Sequence, residues 1–251
     1  MMPTPPLSDW ADHLEETAWP RGPVAVYAQT ASTQDVCRGR APGFVCVADR
    51  QTAGRGRLGR AWEAPPGKSL TFSLVAPAGL SHGLLSLAVP VAVCRALEPF
   101  LAPLGHPPKV KWPNDVYADG KKLAGVLIEV ENGLPIVGIG LNVLTEAADF
   151  PEELQDKATS LAALCAPADR LAVLAALLGE LDRMLAELQT NPDAVVTEWK
   201  NRCLPLPAAF VCRGQTFTGS VMDVDADRGL VLRLSSGEIT HLPAQWTSAA
   251  V

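Results

Sequence analysis

The apolar residues of the chain follow two spacings, and each spacing predicts a different kind of element. Compact apolar runs at 44–48, 70–75 and 109–112 are bounded by glycine, proline or charged residues, which is typical of buried strands. The longer apolar segment 84–101 predicts a buried helix that is kinked at Pro90. The first half of the chain is therefore expected to combine strands with at least one core helix.

A hairpin and further helices are predicted from other local patterns. Runs at 123–131 and 136–141 are joined across an Asn-Gly pair, which favours a tight turn, and adjacent antiparallel strands exclude a purely parallel sheet. Leucines recur with helical spacing over 171–188, and another helix is expected over 192–201. Ser32, with an aspartate three residues later, has the spacing of a capping box for a short helix.

The pattern changes after residue 207, where short runs are separated by turns rich in Gly, Asp and Ser. Such spacing predicts a small β-barrel packed against the main domain. The predicted strands are 209–213, 216–223, 229–234 and 238–242. The predicted organisation is an N-terminal extension over 1–22, a main domain over 23–204 and a β-domain over 205–251.

Composition narrows the class of protein. The chain has 251 residues, of which 48% are hydrophobic and 19% are charged, so a sizeable core is expected. A net charge of −6 disfavours non-specific binding to nucleic acid. Six scattered cysteines without a CxxC pair argue against a zinc site. The N-terminus lacks a signal pattern and the apolar stretch 84–94 is too short to span a bilayer, so a cytoplasmic protein without membrane association is expected.

The segment 51–62, with the sequence QTAGRGRLGRAW, concentrates glycine and arginine. Its three glycines match G-x-G-x-x-G, but a dinucleotide fold needs a helix directly afterwards, and a Pro-Pro-Gly turn at 65–67 follows instead. The Gly-Lys-Ser at 67–69 resembles the end of a P-loop, but that motif needs glycine where Trp62 stands. Neither nucleotide-binding motif is predicted.

The same segment has the composition of an anion-binding loop. Glycines let backbone N–H groups approach an anion, and Arg55, Arg57 and Arg60 alternate with them, so that at least two can face one ligand. A pair of unit charges at about 4 Å contributes roughly 4 kcal/mol at an effective dielectric constant of about 20. The loop is therefore expected to close over a ligand that carries a carboxylate and a phosphate. The alternative is a solvated basic loop, which Trp62 and the flanking strands disfavour.

Two further segments carry candidate chemistry. Lys122 opens a strand, and Gly125 lets another group approach the backbone; a lysine there neutralises a carboxylate and a phosphate without losing its proton. Gly138 and Gly140 bare one face of the next strand, where a flat ring would lie with Asn142 at its edge. The alternatives are an ordinary surface lysine and a strand packed tightly against a helix.

Together these segments resemble the biotin–protein ligase family in order and spacing. The matching segments are 32–33, 51–62, 111–115 (KWPND), 122–129 and 138–142. The resemblance covers about residues 22–250, and the combination of GRGRxGRxW with KWPND and KLAG is specific, although each motif alone is not. It implies an α+β fold like that of class II aminoacyl-tRNA synthetases and lipoate ligases, namely a mixed sheet flanked by helices, with an SH3-like C-terminal barrel.

The resemblance also implies a reaction and its participants. Biotin and Mg-ATP give biotinyl-5′-AMP, and a lysine of the biotin carboxyl carrier domain of a carboxylase then attacks the mixed anhydride. ATP with Mg²⁺ and biotin are thus expected as substrates, without a bound redox cofactor, and the metal ligands stay unassigned. A homodimer formed through the central sheet is a further possibility that the resemblance raises. Some members carry an N-terminal DNA-binding domain, for which residues 1–22 leave no room, so a monofunctional ligase without a DNA partner is expected.

Roles are carried over from the family residue by residue. The implied catalytic residues are Lys122, which would bind carboxylate and phosphate in the transition state, and Arg57. The implied biotin-binding residues are Ser32, Thr33, Gln34, Gln51, Arg55, Gly56, Arg57, Lys122 and Gly125. The implied nucleotide-binding residues are Arg57, Arg60, Trp62, Lys111, Asn114 and Asn142, with Trp62 and Asn142 flanking the adenine. The family often has asparagine at position 34, so the resemblance leaves the role of Gln34 open.

Three rival functions are weighed against this one. A lipoate or octanoate ligase would share the fold, but a lipoyl chain needs an apolar tunnel, whereas Ser32, Thr33 and Gln51 offer polar partners for a ureido ring. A non-enzymatic biotinyl-adenylate sensor would need a DNA-binding element. A carrier-binding module with a decayed site is disfavoured by the presence of Arg57 and Lys122.

Overall fold

A computed structural model describes residues 6–166 and 168–250; residues 1–5 and 251 of the predicted terminal regions lie outside this part. The helices are α1 (Trp10–Thr17), α2 (Thr33–Cys37), α3 (His82–Leu101), α4 (Arg170–Thr190) and α5 (Pro192–Arg202). The strands of the main sheet are β1 (Val24–Thr30), β2 (Val45–Gln51), β3 (Ser69–Val75), β4 (Lys109–Lys111), β5 (Asp115–Ala118), β6 (Lys121–Glu131) and β7 (Leu134–Asn142). Those of the C-terminal sheet are β8 (Ala209–Cys212), β9 (Gln215–Asp225), β10 (Gly229–Leu234), β11 (Ile239–Leu242) and β12 (Thr247–Ala249).

The main sheet has seven strands in the order β1-β2-β3-β7-β6-β5-β4. Only the β1–β2 pair is parallel among the described strands, and the other neighbours run antiparallel. The predicted hairpin is confirmed as β6 and β7, and Asn132 and Gly133 have positive φ angles of 50° and 79° at its turn. The mixed sheet flanked by helices is thus the fold predicted from the sequence.

The two faces of the central strands differ in chemistry. In β3, Leu70, Phe72 and Leu74 belong to the large hydrophobic core, whereas the intervening Thr71 and Ser73 face away from it. In β6 and β7 the same alternation places valine, isoleucine and leucine side chains in the core. Glycines and short polar side chains are left on the opposite face, and a functional site is built there.

Helix α3 forms the centre of the core, in contact with α4, α5 and β6. With the 3₁₀ turn that follows it, this segment (His82–Leu104) is the one helix among the described residues that is long and apolar enough to cross a membrane. The sequence argument that its apolar stretch is too short was therefore wrong on length. Of its most apolar 18-residue window, 72% is buried inside the protein, and this burial accounts for the composition.

The N-terminal segment contributes to the same core. Trp10, Leu14 and Trp19 are each at most 1% exposed and belong to the cluster that includes the central strands. The Trp19 indole N–H also donates to the carbonyl of Gly43 at 2.6 Å. The pattern analysis found no element in residues 1–22, so α1 is a finding of the structure.

The C-terminal strands form an antiparallel sheet in the order β11-β10-β9-β8-β12. Phe210, Leu230, Leu232 and Leu242 are fully buried and continue the main hydrophobic cluster. Four of its five strands correspond to the predicted runs, and β12 was not predicted. The small sheet therefore packs against the main one, as expected from the sequence.

One local prediction differs from the structure. Ser32 does precede α2, but its hydroxyl makes no capping hydrogen bond, so no capping box forms. The predicted helix over 84–101 is confirmed as α3, which continues across Pro90 and Pro99, and the kink at Pro90 stays a prediction. The sequence analysis did not identify four elements, namely α1, β1, β5 and β12.

We expect Leu14→Ala to lower the free energy of unfolding by about 2–5 kcal/mol, because the side chain is fully buried and its removal leaves a cavity. Denaturant titration would measure the change. Leu154→Ala is the control, because Leu154 is 42% exposed. Equal effects of the two variants would show that α1 does not belong to the core.

Candidate active site

A cavity of about 300 Å³ opens between the glycine–arginine loop, α2 and the polar face of the sheet. Every sequence-predicted site residue except Asn142 lines it. The predicted residues that meet there are Ser32, Thr33, Gln34, Gln51, Arg55, Gly56, Arg57, Arg60, Trp62, Lys111, Asn114, Lys122 and Gly125. Segments far apart in the chain thus converge on one concave site.

One end of the cavity is a cluster of hydroxyl and amide groups. The Thr33 backbone N–H and Oγ1 lie 2.8 and 3.0 Å from Gln51 Oε1, and Thr33 Oγ1 lies 2.7 Å from Ser73 Oγ. Because Gln51 Oε1 accepts these bonds, its NH₂ group is turned away from Thr33. Ser32 Oγ is buried without a hydrogen-bond partner among the described residues. Buried polar groups in this state favour a polar ligand.

The glycine–arginine loop folds back on itself as a short flap. The Gly56 N–H donates to Arg60 O at 2.7 Å, and the Trp62 N–H donates to Gly54 O at 3.0 Å. At the tip, Leu58 has a φ of 56° and is 55% exposed. The flap is therefore held in this shape by backbone hydrogen bonds of its own.

Arg55 ties the flap to α2 and β6. Its guanidinium donates to both carboxylate oxygens of Asp35 at 2.8 and 2.9 Å and lies 3.4 Å from Glu129. The hydrogen bonds from Arg55, opposed by partial burial and reinforced by Arg38, lower the pKa of the Asp35 carboxyl. The side chain thus ties the flap to α2 and β6, and the predicted role of the Arg55 backbone in holding a carboxylate stays a prediction.

Arg57 is the arginine whose guanidinium is held at the cavity wall. It donates to Asn114 Oδ1 at 3.2 Å and to the backbone carbonyls of Ala244 and Thr247 in the C-terminal region. Burial lowers the pKa of Arg57, partly offset by the nearby Asp115 carboxylate. Its neutral hydrogen-bond partners leave the positive charge available to an anionic ligand.

Lys122 lies on the same cavity, next to the strand pair β5–β6. Its Nζ is 2.7 Å from Asp115 Oδ1 and 5.8 Å from the centre of the Trp62 ring. The backbone on both sides of the lysine is fixed, because its N–H donates to Lys157 O and its carbonyl accepts from Thr159 N, each at 2.8 Å. The amine is therefore a positioned cation, and Asp115 is its counter-ion in the absence of substrate.

Side chains of the protein itself cover the glycine-bared face. A Cβ at Gly140 would overlap the Trp62 indole, and a Cβ at Gly138 would lie 3.2 Å from the Gln34 amide. The flat ring expected on this face is thus the Trp62 indole. Its N–H is buried without a partner among the described residues. Glycine is needed at 140 because any side chain would displace that ring.

Three of the predicted nucleotide-binding residues lie in different surroundings, one buried and two exposed. Asn142 does not line the cavity, because its side chain is buried and donates to Thr159 O at 3.0 Å. Its amide nitrogen therefore has a partner within the protein, and its contact with the adenine stays a prediction. Lys111 is exposed and donates to the Tyr117 hydroxyl at 3.1 Å, and Arg60 is exposed at the rim.

Several lining residues were missed by the sequence analysis. Ser73, Asp115, Ser248 and Ala249 all line the cavity. Ser73 was read only as part of an apolar strand, and its alternation with Phe72 was the available signal. The C-terminal residues carried no signal, because their place depends on how the two sheets pack. The described residues contain no group of three or more His, Cys, Asp or Glu side chains able to hold a metal ion.

We expect Asp35→Asn to speed tryptic cleavage of the flap at Arg55–Arg60 by about 1.5- to 5-fold, because exposed ion pairs contribute about 0.2–1 kcal/mol. Glu131→Gln is the matched control, since Glu131 pairs with Arg38 and not with Arg55. Equal cleavage rates for the two variants would contradict a role of Arg55 in tying the flap to α2. The wild-type contact holds above pH 3.8 and weakens only as the pH falls through the lowered pKa of Asp35.

Comparison with known proteins places this site in a family. The model of the biotin/lipoate A/B protein ligase family matches residues 26–145. A biotin–[acetyl-CoA-carboxylase] ligase of Mycobacterium tuberculosis is 35% identical over 86% of this chain and 88% of that protein. A bifunctional ligase/repressor of Bacillus spizizenii is 32% identical over 84% and 69%, respectively.

A solved structure gives the same result. The biotin protein ligase of Aquifex aeolicus in complex with biotin and ATP superposes with a TM-score of 0.78 at 30% identity, covering 90% of this chain and 97% of that one. The overall fold therefore agrees with that of this solved structure. The chain belongs to the biotin/lipoate A/B protein ligase family, on its biotin protein ligase branch.

Proposed function

We propose that this chain is an ATP-dependent biotin ligase, which activates biotin as biotinyl-5′-AMP and transfers it to a lysine of a carrier domain. The observation that carries the proposal is the convergence on one cavity of a polar cluster around Thr33 with two cations, Arg57 and Lys122. The polar end suits a small polar ring, and the cationic end suits a carboxylate and a phosphate.

The polar end of the cavity would bind the ureido ring. Ser32 Oγ is buried and unpaired within the described part of the chain, and Gln51 has its amide fixed by Thr33. A cyclic urea offers one carbonyl acceptor and two N–H donors, which need partners when buried. The hydroxyl of Ser32 and the amide of Gln51 supply both kinds of partner. The family resemblance assigns the valerate carboxylate to the backbone of Arg55 and Gly56, and the Gly56 N–H would have to leave Arg60 O to bind it.

The two cations would serve the first chemical step. A carboxylate oxygen of biotin attacks the α-phosphorus of ATP, a P–O bond to the β-phosphate breaks, and pyrophosphate leaves. Arg57 and Lys122 reduce the repulsion between the two anions and stabilise the charge of the transition state, and neither needs to lose its proton. ATP would bring Mg²⁺ as its counter-ion, and the metal would help to neutralise the phosphate charge. Trp62 would contact the adenine.

In the second step the unprotonated amine of the acceptor lysine attacks the carbonyl carbon of the mixed anhydride and forms the amide C–N bond. The bond between that carbon and the phosphate oxygen breaks, AMP leaves, and the nitrogen releases a proton to solvent. The flap would keep water from the anhydride until the acceptor arrives. The relatives' names point to a carrier domain of a carboxylase as the acceptor. A cytoplasmic location, the lack of a DNA partner and a possible homodimer stay predictions from the sequence.

Lipoate activation is the second function that the fold permits. The cluster of Ser32, Thr33, Gln51 and Ser73 disfavours it, because an aliphatic dithiolane cannot pair with these buried polar groups. A non-enzymatic sensor of the adenylate is disfavoured by the two positioned cations.

We expect biotin-dependent exchange of labelled pyrophosphate into ATP, with lipoate neither supporting nor inhibiting the exchange at equal concentration. The reason is the polar end of the cavity, which pairs with a urea and not with a dithiolane. The enzyme without biotin is the blank. Exchange that depends on lipoate, or no exchange with either acid, would refute the proposal.

We expect Lys122→Ala to lower the rate of adenylation by about 10²- to 10³-fold while changing the Kd for biotin much less, because its charge acts mainly in the transition state. Pyrophosphate exchange gives the rate, and calorimetry gives the Kd. Lys121→Ala is the matched control, since that neighbouring lysine bonds only the Gln155 carbonyl on the surface. Equal losses in rate and affinity for Lys122→Ala would contradict this role.

A further inference from the structure

His82 is a titratable side chain that the proposed reaction does not use. It is the first residue of α3, and it lines a second cavity, of about 640 Å³, that adjoins the active-site cavity. Arg57 and Asn114 line both cavities, whereas His82 lines only the second. The imidazole therefore lies next to the wall that carries Arg57, outside the space that biotin and ATP would occupy.

The ring of His82 is held between α3 and β6. The carbonyl of Ile128 accepts a hydrogen bond from the ring. Ser86 Oγ lies 3.3 Å from Nδ1, and the Ser86 hydroxyl donates its own hydrogen to the His82 carbonyl at 2.7 Å, which leaves its lone pairs for a bond from Nδ1. The protonated ring would thus have acceptors within reach, as the neutral ring does.

Burial and the nearby arginine both oppose a positive charge on this ring. Burial, followed by the charge of Arg57, lowers the pKa of His82 below its ordinary value of 6.5, and the hydrogen bond to Ile128 O offsets this only in part. A histidine whose pKa is lowered from this value is neutral at neutral pH. The imidazole is therefore neutral while no anion is bound at Arg57.

The other charges around the second cavity leave Arg57 as the charge that controls His82. Arg38, which follows α2, and Glu129 on β6 also line the cavity, but they form an ion pair with a distance of 3.0 Å and offset each other. The C-terminal sheet contributes the turn Ala244–Trp246, which carries no charged side chain. An anion that offsets the charge of Arg57 would thus remove a main obstacle to protonation of His82.

We propose that nucleotide binding at Arg57 is coupled to the uptake of a proton by His82, so that the affinity for ATP rises as the pH falls below neutrality. The coupling is reciprocal, because a ligand that favours the protonated ring is itself bound more tightly by the protein in that form. The inference rests on the proposed function, since it needs a triphosphate at Arg57. His82 then regulates the first step without touching either substrate.

The direct test is an NMR titration of the histidine ring protons with and without nucleotide. The ligand is α,β-methylene-ATP in the presence of saturating biotin, because its P–C–P bridge prevents adenylation. The chain has 4 histidines, and His82→Gln identifies the signal of His82. We expect nucleotide binding to raise the pKa of His82 by about 0.5 to 1, as a nearby anion does. The two titrations use wild-type protein alone, so a destabilised variant does not affect them.

Calorimetry gives the effect on affinity, with the same analogue titrated at a pH of about 6 and of about 8. The gain in affinity at the lower pH should be about 2- to 10-fold larger for wild type than for His82→Gln. Glutamine keeps an N–H for Ile128 O but does not titrate, so this variant also corrects for protonation of the analogue itself. His13→Gln, at an exposed position of α1, is the matched control and should retain the wild-type pH dependence.

Two results would overturn the proposal: a pKa of His82 that is the same with and without the analogue, or a pH dependence of His82→Gln equal to that of wild type. Failure of wild type to bind the analogue at either pH is a different result, because it would refute the proposed function itself and with it the coupling.

Discussion

The site depends on how a guanidinium is kept charged at the cavity wall without a carboxylate in contact with it. Arg57 takes part in none of the ion pairs formed by the described residues, and its partners are an amide oxygen and two backbone carbonyls. Such acceptors satisfy N–H groups and orient the planar fork, but they do not neutralise the charge. A carboxylate in their place would compete with the substrate anions. The cavity therefore keeps the positive potential that a carboxylate and a triphosphate require.

This arrangement gives the C-terminal sheet a part in the site. Two acceptors of Arg57 are the carbonyls of Ala244 and Thr247, and the Thr247 hydroxyl in turn donates to Pro243 O at 2.7 Å. The turn that carries these carbonyls is held by β12, which pairs with β8, while Ser248 and Ala249 reach the cavity. Packing of the small sheet against the main one thus orients a predicted catalytic side chain.

The sequence predicted those features whose defining residues lie within a few positions of each other. The flap, Lys122 and the hairpin of β6 and β7 were predicted because glycine, charge and alternation are visible within a few residues. The direction of the Arg55 side chain was not predictable, because its partners Asp35 and Glu129 are 20 and 74 residues away. The bond from the Asn142 amide to Thr159 O was not predictable for a similar reason, since Thr159 lies on a loop with no recognisable pattern. Periodicity predicted many of the individual elements and the family resemblance implied the fold, whereas side-chain partners follow from tertiary packing.

Gly138 and Gly140 leave space on one face of β7, and the structure fills that space differently from the sequence prediction. Gly138 and Gly140 were expected to leave a flat surface for a ligand ring, and they instead admit the Gln34 amide and the Trp62 indole. Both side chains are planar, and both present buried polar atoms that lack partners within the described part of the chain. A ligand in this cavity therefore contacts the Gln34 amide and the Trp62 indole rather than bare backbone. We therefore expect the directions in which the Gln34 amide and the Trp62 N–H form hydrogen bonds to determine ligand selectivity. Gly138 and Gly140 contribute only by leaving space for these two side chains.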